Sequence, residues 1–207
     1  MKVLELFAGS CSFSNVAREE FGYETFTTDI SQFGSIDLVC DVLDLDLNDL
    51  PFRPDIIWAS PPCTTFSVAS CGKHWTAPDH NGDRFPKTDD ALLGIELVKK
   101  TRSIIEELDP KYFIIENPRG ILRKLDLLKG IHQDQVSYCK YGDSRMKPTD
   151  LWHNLKGFEP RMCKNGTLNC HISAPRGSRT GTQGLKGDYE RSKVPPQLCR
   201  EILELCI

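Results

Sequence analysis

The chain has 207 residues, 27% of them charged, with a formal net charge of −3, which suits a water-soluble protein with one sizeable hydrophobic core. No apolar run approaches the ~18 residues needed to span a bilayer, and the opening Met1-Lys2-Val3-Leu4-Glu5 is too short and too acidic for a secretory leader. Nine cysteines, an odd number, are therefore expected as reduced thiols in a cytoplasmic protein and not as a disulfide framework.

Taken in order, apolar strand-like runs alternate with helical ones. Residues 2–8 read as a strand, Gly9-Ser10-Cys11-Ser12 as a small-residue turn, and residues 14–20 as a helix stopped by Gly22. Strands follow at 24–28, closing on Asp29, at 36–41 and at 55–59. Asp89-Asp90 can cap a long helix with Leu93, Leu97, Ile104, Ile105 and Leu108 at apolar positions, ended by Pro110. Residues 112–115 form a fifth strand running into Glu116-Asn117-Pro118. A short helix around 121–128, a strand at 135–138 and a closing helix at 196–206 complete the pattern. Such alternation predicts an α/β fold, doubly wound, around a mostly parallel sheet. The expected organisation is a catalytic and cofactor-binding region (1–150), a much reduced segment for target recognition (151–190) and a returning helix (191–207).

The strand at 55–59 stops at Ser60-Pro61-Pro62-Cys63. Two prolines fix their own φ and push the residues before them into extended geometry, so Cys63 leaves the strand's carboxyl end on a stiff turn. That is where open α/β sheets place ligands. The turn suits a nucleophilic thiol, and it equally suits a small buried residue. Residues 64–87, directly after it, have no periodicity, and a loop this long in a compact domain is expected to be a mobile functional element. In the first turn, Asp29 stands 20 residues after Gly9, the separation of a strand-end acid that holds ribose hydroxyls. A Gly-x-Gly-x-x-Gly pattern is missing, and a single Gly in a tight turn is also explained by geometry alone.

Charge is unevenly spread. Residues 1–139 carry 14 Lys and Arg against 22 Asp and Glu, whereas residues 140–200 carry 12 against 5. An acidic body with a basic late segment fits a polyanion on one face, and ordinary surface variation fits it equally. Cys163 and Cys170-His171, with Cys139 nearby, raise the question of zinc. The Cys-x6-Cys-His spacing matches no strong zinc pattern and Cys139 reads as strand-borne, so unligated thiols and no metal are expected.

Phe7-Ala8-Gly9, Pro61-Pro62-Cys63 with Phe66-Ser67, Glu116-Asn117, Tyr141-Gly142 with Arg145, and Val194-Pro195 together resemble the ordered motifs of the cytosine-5 DNA methyltransferase family, in its compact, phage-type form. The resemblance implies the S-adenosylmethionine-dependent methyltransferase fold and S-adenosylmethionine as cofactor. Phe7 and Gly9 would line its adenosine and methionine parts, Asp29 its ribose and Asp41 its adenine. Both acids are also accounted for as strand-end caps. The resemblance further implies Cys63 as the nucleophile for cytosine C6, Glu116 as the acid at N3, Asn117 as a positioning group, and Arg145 at the ring oxygen or the thiolate. Pro61, Pro62 and Ser67 would border the base, and Arg176 and Arg179 would hold phosphates of duplex DNA. The sequence departs from the family pattern at Cys11, where a glycine is usual, at Thr64, at Pro118, and at Arg191-Ser192-Lys193. A free nucleotide, a single strand or RNA as substrate, and a catalytically quiet nucleic-acid-binding module, remain open at this stage.

Overall fold

The computed structural model describes residues 1–172 and 187–207. Seven strands form one sheet: β1 (Lys2–Leu6), β2 (Glu24–Asp29), β3 (Leu38–Val39), β4 (Ile56–Ala59), β5 (Tyr112–Pro118), β6 (His132–Ser137) and β7 (Pro148–His153). Their order is β3-β2-β1-β4-β5-β7-β6. The first five are parallel, while β7 runs antiparallel to both β5 and β6. The helices are α1 (Ser12–Phe21), α2 (Cys71–His74), α3 (Asp89–Leu108), α4 (Asp188–Ser192) and α5 (Pro196–Leu205).

The central strands are apolar on both sides because both faces are covered. All four residues of β4 are buried, as a strand sandwiched between layers requires. On one face, α3 presents Ala91, Leu97, Val98, Ile104 and Ile105 to Leu4, Leu6, Ile57 and Ile115. On the other, Phe13, Val16 and Ala17 of α1 and Leu198, Cys199, Ile202 and Leu203 of α5 cover Val3, Ile56, Trp58 and Ile114. Burying each such Leu, Ile or Phe is worth about 1.5–3 kcal/mol, which ties both helical layers to the sheet. Doubly wound topology is thus what the alternating pattern predicted.

Several local expectations need correction. The cap of α3 is Thr88, whose Oγ1 accepts the Ala91 N–H, and the two aspartates lie inside its first turn, where the helix dipole favours them. Of residues 36–41 only Leu38–Val39 pairs as strand, and residues 121–128 form two 3-10 turns in place of a helix. The hairpin strand β7 was not anticipated from its pattern. It starts at Pro148, carries polar Thr149, Asp150 and His153 into the interior, and runs across the boundary expected at residue 150. Residues 64–87 are folded onto the body and are not a structureless loop. Phe66 and Trp75 are buried against each other, and the Trp75 indole N–H donates to the Thr65 carbonyl at 2.9 Å. Among the described residues no helix is long and apolar enough to cross a membrane.

Candidate active site

The strand order reverses between β1 and β4, and the crevice outside the carboxyl ends of such neighbours is the natural ligand site. Phe7 follows β1, Asp29 ends β2, Cys63 follows β4 and Glu116 lies on β5. Sheet topology therefore brings to one edge residues that are far apart in sequence.

A cavity of about 360 Å³ is lined there by Phe7, Asp29, Ile30, Asp41, Val42, Pro62, Thr64 and Leu97, among others. Its acids are held by backbone. The Gly9 N–H donates to Asp29 Oδ2 at 2.9 Å, the Ser31 N–H to Asp29 Oδ1 at 2.9 Å, and the Leu43 N–H to Asp41 Oδ1 at 3.0 Å. The turn itself is tightly wound: Phe7, Gly9 and Cys11 have φ of 55°, 50° and 53°. Cys11 adopts this left-handed conformation although it has a side chain, and such geometry persists only where surrounding structure imposes it. A Cβ on Gly9 would lie 2.8 Å from Ser192 Oγ and 3.0 Å from Ser192 Cβ of α4, so Ser192 would have to shift. The Val194 N–H donates to Ser12 Oγ at 3.1 Å, so the returning segment closes on the first turn despite its departure from the family pattern. Apolar walls and two carboxylates fit an adenosine-type group.

The Pro-Pro turn is clamped to β5. Asn117 Nδ2 donates to the Pro61 carbonyl at 2.7 Å in full burial, while Asn117 Oδ1 is buried without a hydrogen-bond partner among the described residues. The N–H groups of Phe66 and Ser67 donate to the Cys63 carbonyl at 3.1 and 3.0 Å. Two glycines let this loop sit so close. A Cβ on Gly94 of α3 would lie 2.8 Å from Thr65 Oγ1, and one on Gly120 would lie 2.0 Å from the Phe66 carbonyl oxygen. Ser67 bridges to Gly120, and its Oγ is 2.8 Å from Ser70 Oγ, so it belongs to the loop's own scaffold. Pro62 lines the cofactor-sized cavity.

Beside Cys63 stands Glu116, buried in the middle of β5's pairing with β7 and not at a strand end. The Tyr138 hydroxyl donates to Glu116 Oε1 at 2.7 Å, and Lys147 Nζ stands 3.8 Å from the same oxygen. Burial first, then the neighbouring carboxylate, holds the Tyr138 phenol well above its usual range, so it remains a donor. Burial also pushes the Cys63 thiol up; the Lys147 ammonium pulls it down and Glu116 pushes it up again. The resting thiol is therefore protonated.

Arg145 is placed differently from the expectation. Its guanidinium is held by the carboxylate of Asp143, with Nε 2.9 Å from Oδ1, and it lines a second cleft of about 620 Å³ with Ser12, Tyr141 and Val194. The cation at Glu116 is Lys147, which the sequence reading did not select. Its signal was its position two residues after Arg145, where the chain enters β7 beside Glu116's strand. Arg176 and Arg179 lie outside the described residues.

Cys139 sits in a 3-10 turn at Tyr138–Tyr141, not inside a strand. The fold brings its thiol together with Cys163, Cys170 and His171, a grouping that their spacing in sequence does not reveal.

The doubly wound sheet, with a cofactor-sized cavity at its switch point and a thiol and carboxylate beside it, fits a methyltransferase of the S-adenosylmethionine-dependent type. The model of the C-5 cytosine-specific DNA methylase family matches residues 1–134. The chain is 32% identical, over the full length of both, to a protein of Frog virus 3 (isolate Goorha) named "Probable DNA (cytosine-5)-methyltransferase". It also superposes on the crystal structure of a prophage-encoded E. coli protein named "putative DNA modification methyltransferase". That match has a TM-score of 0.53 and 19% identity, covers 79% of this chain and 52% of that one, and bears on fold alone. The chain belongs to the C-5 cytosine-specific DNA methylase family.

Proposed function

We propose that the protein methylates cytosine C5 in DNA through a covalent adduct between Cys63 and C6. The observation that carries this is the single group formed by Cys63 on its clamped Pro-Pro turn, Glu116, Tyr138 and Lys147. Cytosine C5 is too weak a nucleophile to be methylated unaided, and addition of a thiolate at C6 makes the ring enamine-like and reactive at C5. S-adenosylmethionine, held by Phe7, Gly9, Asp29, Asp41 and the apolar wall, supplies an electrophilic methyl group when bound.

The protein's own groups divide the remaining work. Tyr138 occupies Glu116 Oε1 and leaves Oε2 for N3 of the base. As Sγ adds to C6 the thiol gives up its proton, the Glu116 carboxylate takes up a proton and shares it with N3 to withdraw electron density from C6, and that proton returns to sulfur when the thiolate departs. The C5 proton passes to water before Sγ leaves, so the electron pair of the C5–H bond forms the C5–C6 double bond and expels the thiolate, which regains its proton. Lys147 stabilises negative charge on both Glu116 and Cys63. Asn117 positions the turn and offers Oδ1 as an acceptor. In duplex DNA the base must leave the stack to reach this pocket, at a cost of a few kcal/mol that phosphate contacts offset.

Tritium transfer from labelled S-adenosylmethionine, compared on duplex DNA, single strands, RNA and dCMP, tests the substrate, and duplex DNA should be methylated fastest. DNA carrying 5-fluorocytosine should trap a covalent complex with wild type and not with Cys63→Ser, which should still bind cofactor. Trapping through another cysteine would overturn the role of Cys63.

A further inference from the structure

Cys139, Cys163, Cys170 and His171 offer three thiols and one imidazole whose ligand atoms all lie within 4.8 Å of one another. Cys163 Sγ is 3.5 Å from Cys170 Sγ and 3.7 Å from His171 Nδ1. For a tetrahedral ion with metal–sulfur bonds near 2.3 Å and metal–nitrogen bonds near 2.0–2.1 Å, neighbouring ligand atoms fall roughly 3.5–3.8 Å apart. Two of the six separations match that shell, and the remaining four are no longer than 4.8 Å. The other ring nitrogen, Nε2, lies 3.4 Å from both Asn165 Oδ1 and the Gly166 N, so it faces an acceptor of the kind a metal-binding histidine uses and an amide donor as well.

The surroundings show why an ion is needed. Met162, Leu168 and Ile172, the apolar side chains of this segment, are all exposed, Leu168 at 88%. The segment therefore has no hydrophobic core of its own. It is nevertheless turned tightly, with Gly166 at φ 84° and Asn169 at φ 58°. It is also pinned to the body by the Cys163 N–H on Ser137 Oγ and the Ile172 N–H on the Ser144 carbonyl.

We infer that these four residues form a closed structural zinc site. Zinc binding displaces the thiol protons, which leave to solvent, and no oxidation occurs. A Cys163–Cys170 disulfide would use two of the four groups and leave Cys139 and His171 without purpose. The ion would fasten residues 163–171 to the 3-10 turn at Tyr138–Tyr141. That turn also carries Tyr138, the donor to Glu116, so the metal secures the recognition segment against the site. This holds whether or not Cys63 is the nucleophile.

The test uses the full chain, purified under reducing conditions and assayed by elemental analysis. One zinc per chain is expected, and Cys163→Ser and His171→Ala should each lower the content by roughly tenfold, as loss of one ligand in four demands. Replacement by cobalt should give the visible d–d and sulfur-to-metal bands of a tetrahedral thiolate site in unmutated protein, a readout independent of how the variants fold. Two controls lie outside the cluster: Cys71→Ser, and His132→Gln in the other potential ligand group, His132, Asp134 and His153. Both should keep one equivalent. Absence of metal, an octahedral cobalt spectrum, loss of the ion in His132→Gln, or a mass two hydrogens light would each overturn the assignment.

Discussion

Lys147 Nζ stands 3.8 Å from Glu116 Oε1 and 4.6 Å from the centre of the Tyr138 ring, so the charge beside the buried carboxylate belongs to Lys147. Arg145, two residues earlier, is neutralised by Asp143. Since the ammonium pulls the Cys63 thiol down against burial, its removal should raise that thiol further. In Lys147→Met the acid limb of the pH–rate profile should therefore move to higher pH. Each unit of movement lowers the rate at neutral pH by about tenfold. Lys147→Arg should restore most of the loss, and Arg145→Met should leave the limb in place. An unmoved limb in Lys147→Met would remove the lysine from the chemistry.

Gly120 is needed for space, not for flexibility. A methyl group there would meet the Phe66 carbonyl oxygen at 2.0 Å and break the bond from the Ile121 N–H to that oxygen, 2.8 Å long. Gly120→Ala should destabilise the fold by about 1–3 kcal/mol through overpacking. It should also slow trapping of Cys63, because the loop that carries the thiol must move. Gly72→Ala, where nothing stands within 4 Å of the added carbon, should change stability by less than about 0.5 kcal/mol. Equal denaturant midpoints for the two variants would contradict this.

Fold and site differed in how much the sequence revealed. Strands β1, β2, β4 and β5 and helices α1, α3 and α5 were legible because buried apolar residues recur at their proper periods and Gly22 or Pro110 mark the ends. Cys63 and Glu116 were legible from their setting and from the family resemblance. Strand β7 was not, since Thr149, Asp150 and His153 share its buried positions with Leu151 and Trp152, and Asp150 and His153 draw on the tertiary partners Arg123 and Asp134. For the same reason Lys147 was missed. A cation's partner depends on which strand lies alongside, and pairing of β5 with β7 is non-local. Phe66 and Trp75 looked like loop residues because a two-residue anchor has no period to detect.

Glu5, on the central strand, gives the fold a pH signature. Burial lifts its carboxyl from 4.5 to about 7, against the pull of the Ser14 and Phe13 N–H groups at the start of α1. The folded chain keeps a proton that the unfolded chain releases near its ordinary value. The contribution is therefore fully present below about pH 4.5 and is lost as pH rises through about 7, a change of about 3 kcal/mol. Glu5→Gln should flatten that decline, so wild type and variant should diverge most across this window in unfolding experiments. A difference independent of pH would place the proton elsewhere.

Asp29 has one task in the fold and a second that the proposed function gives it, and substitution can separate them. Its Oδ1 and Oδ2 accept the Ser31 and Gly9 N–H groups, which shapes the turn after β1, and each oxygen keeps acceptor capacity at the border of the cavity. That capacity is what ribose hydroxyls would use. Asp29→Ala should lower the melting temperature of the free protein, because the part-buried Gly9 N–H and the exposed Ser31 N–H lose their acceptor. It should also weaken S-adenosylhomocysteine binding by about tenfold to a hundredfold, the value of a hydrogen bond or two to a charged group. Asp29→Asn keeps the shape and one acceptor, so it should recover much of the thermal stability while still binding weakly. Calorimetric titration together with melting of the ligand-free chain distinguishes the two tasks. If Asp29→Asn melts like wild type and also binds like wild type, the carboxylate is a turn-shaping group alone, and the ribose lies elsewhere in the cavity.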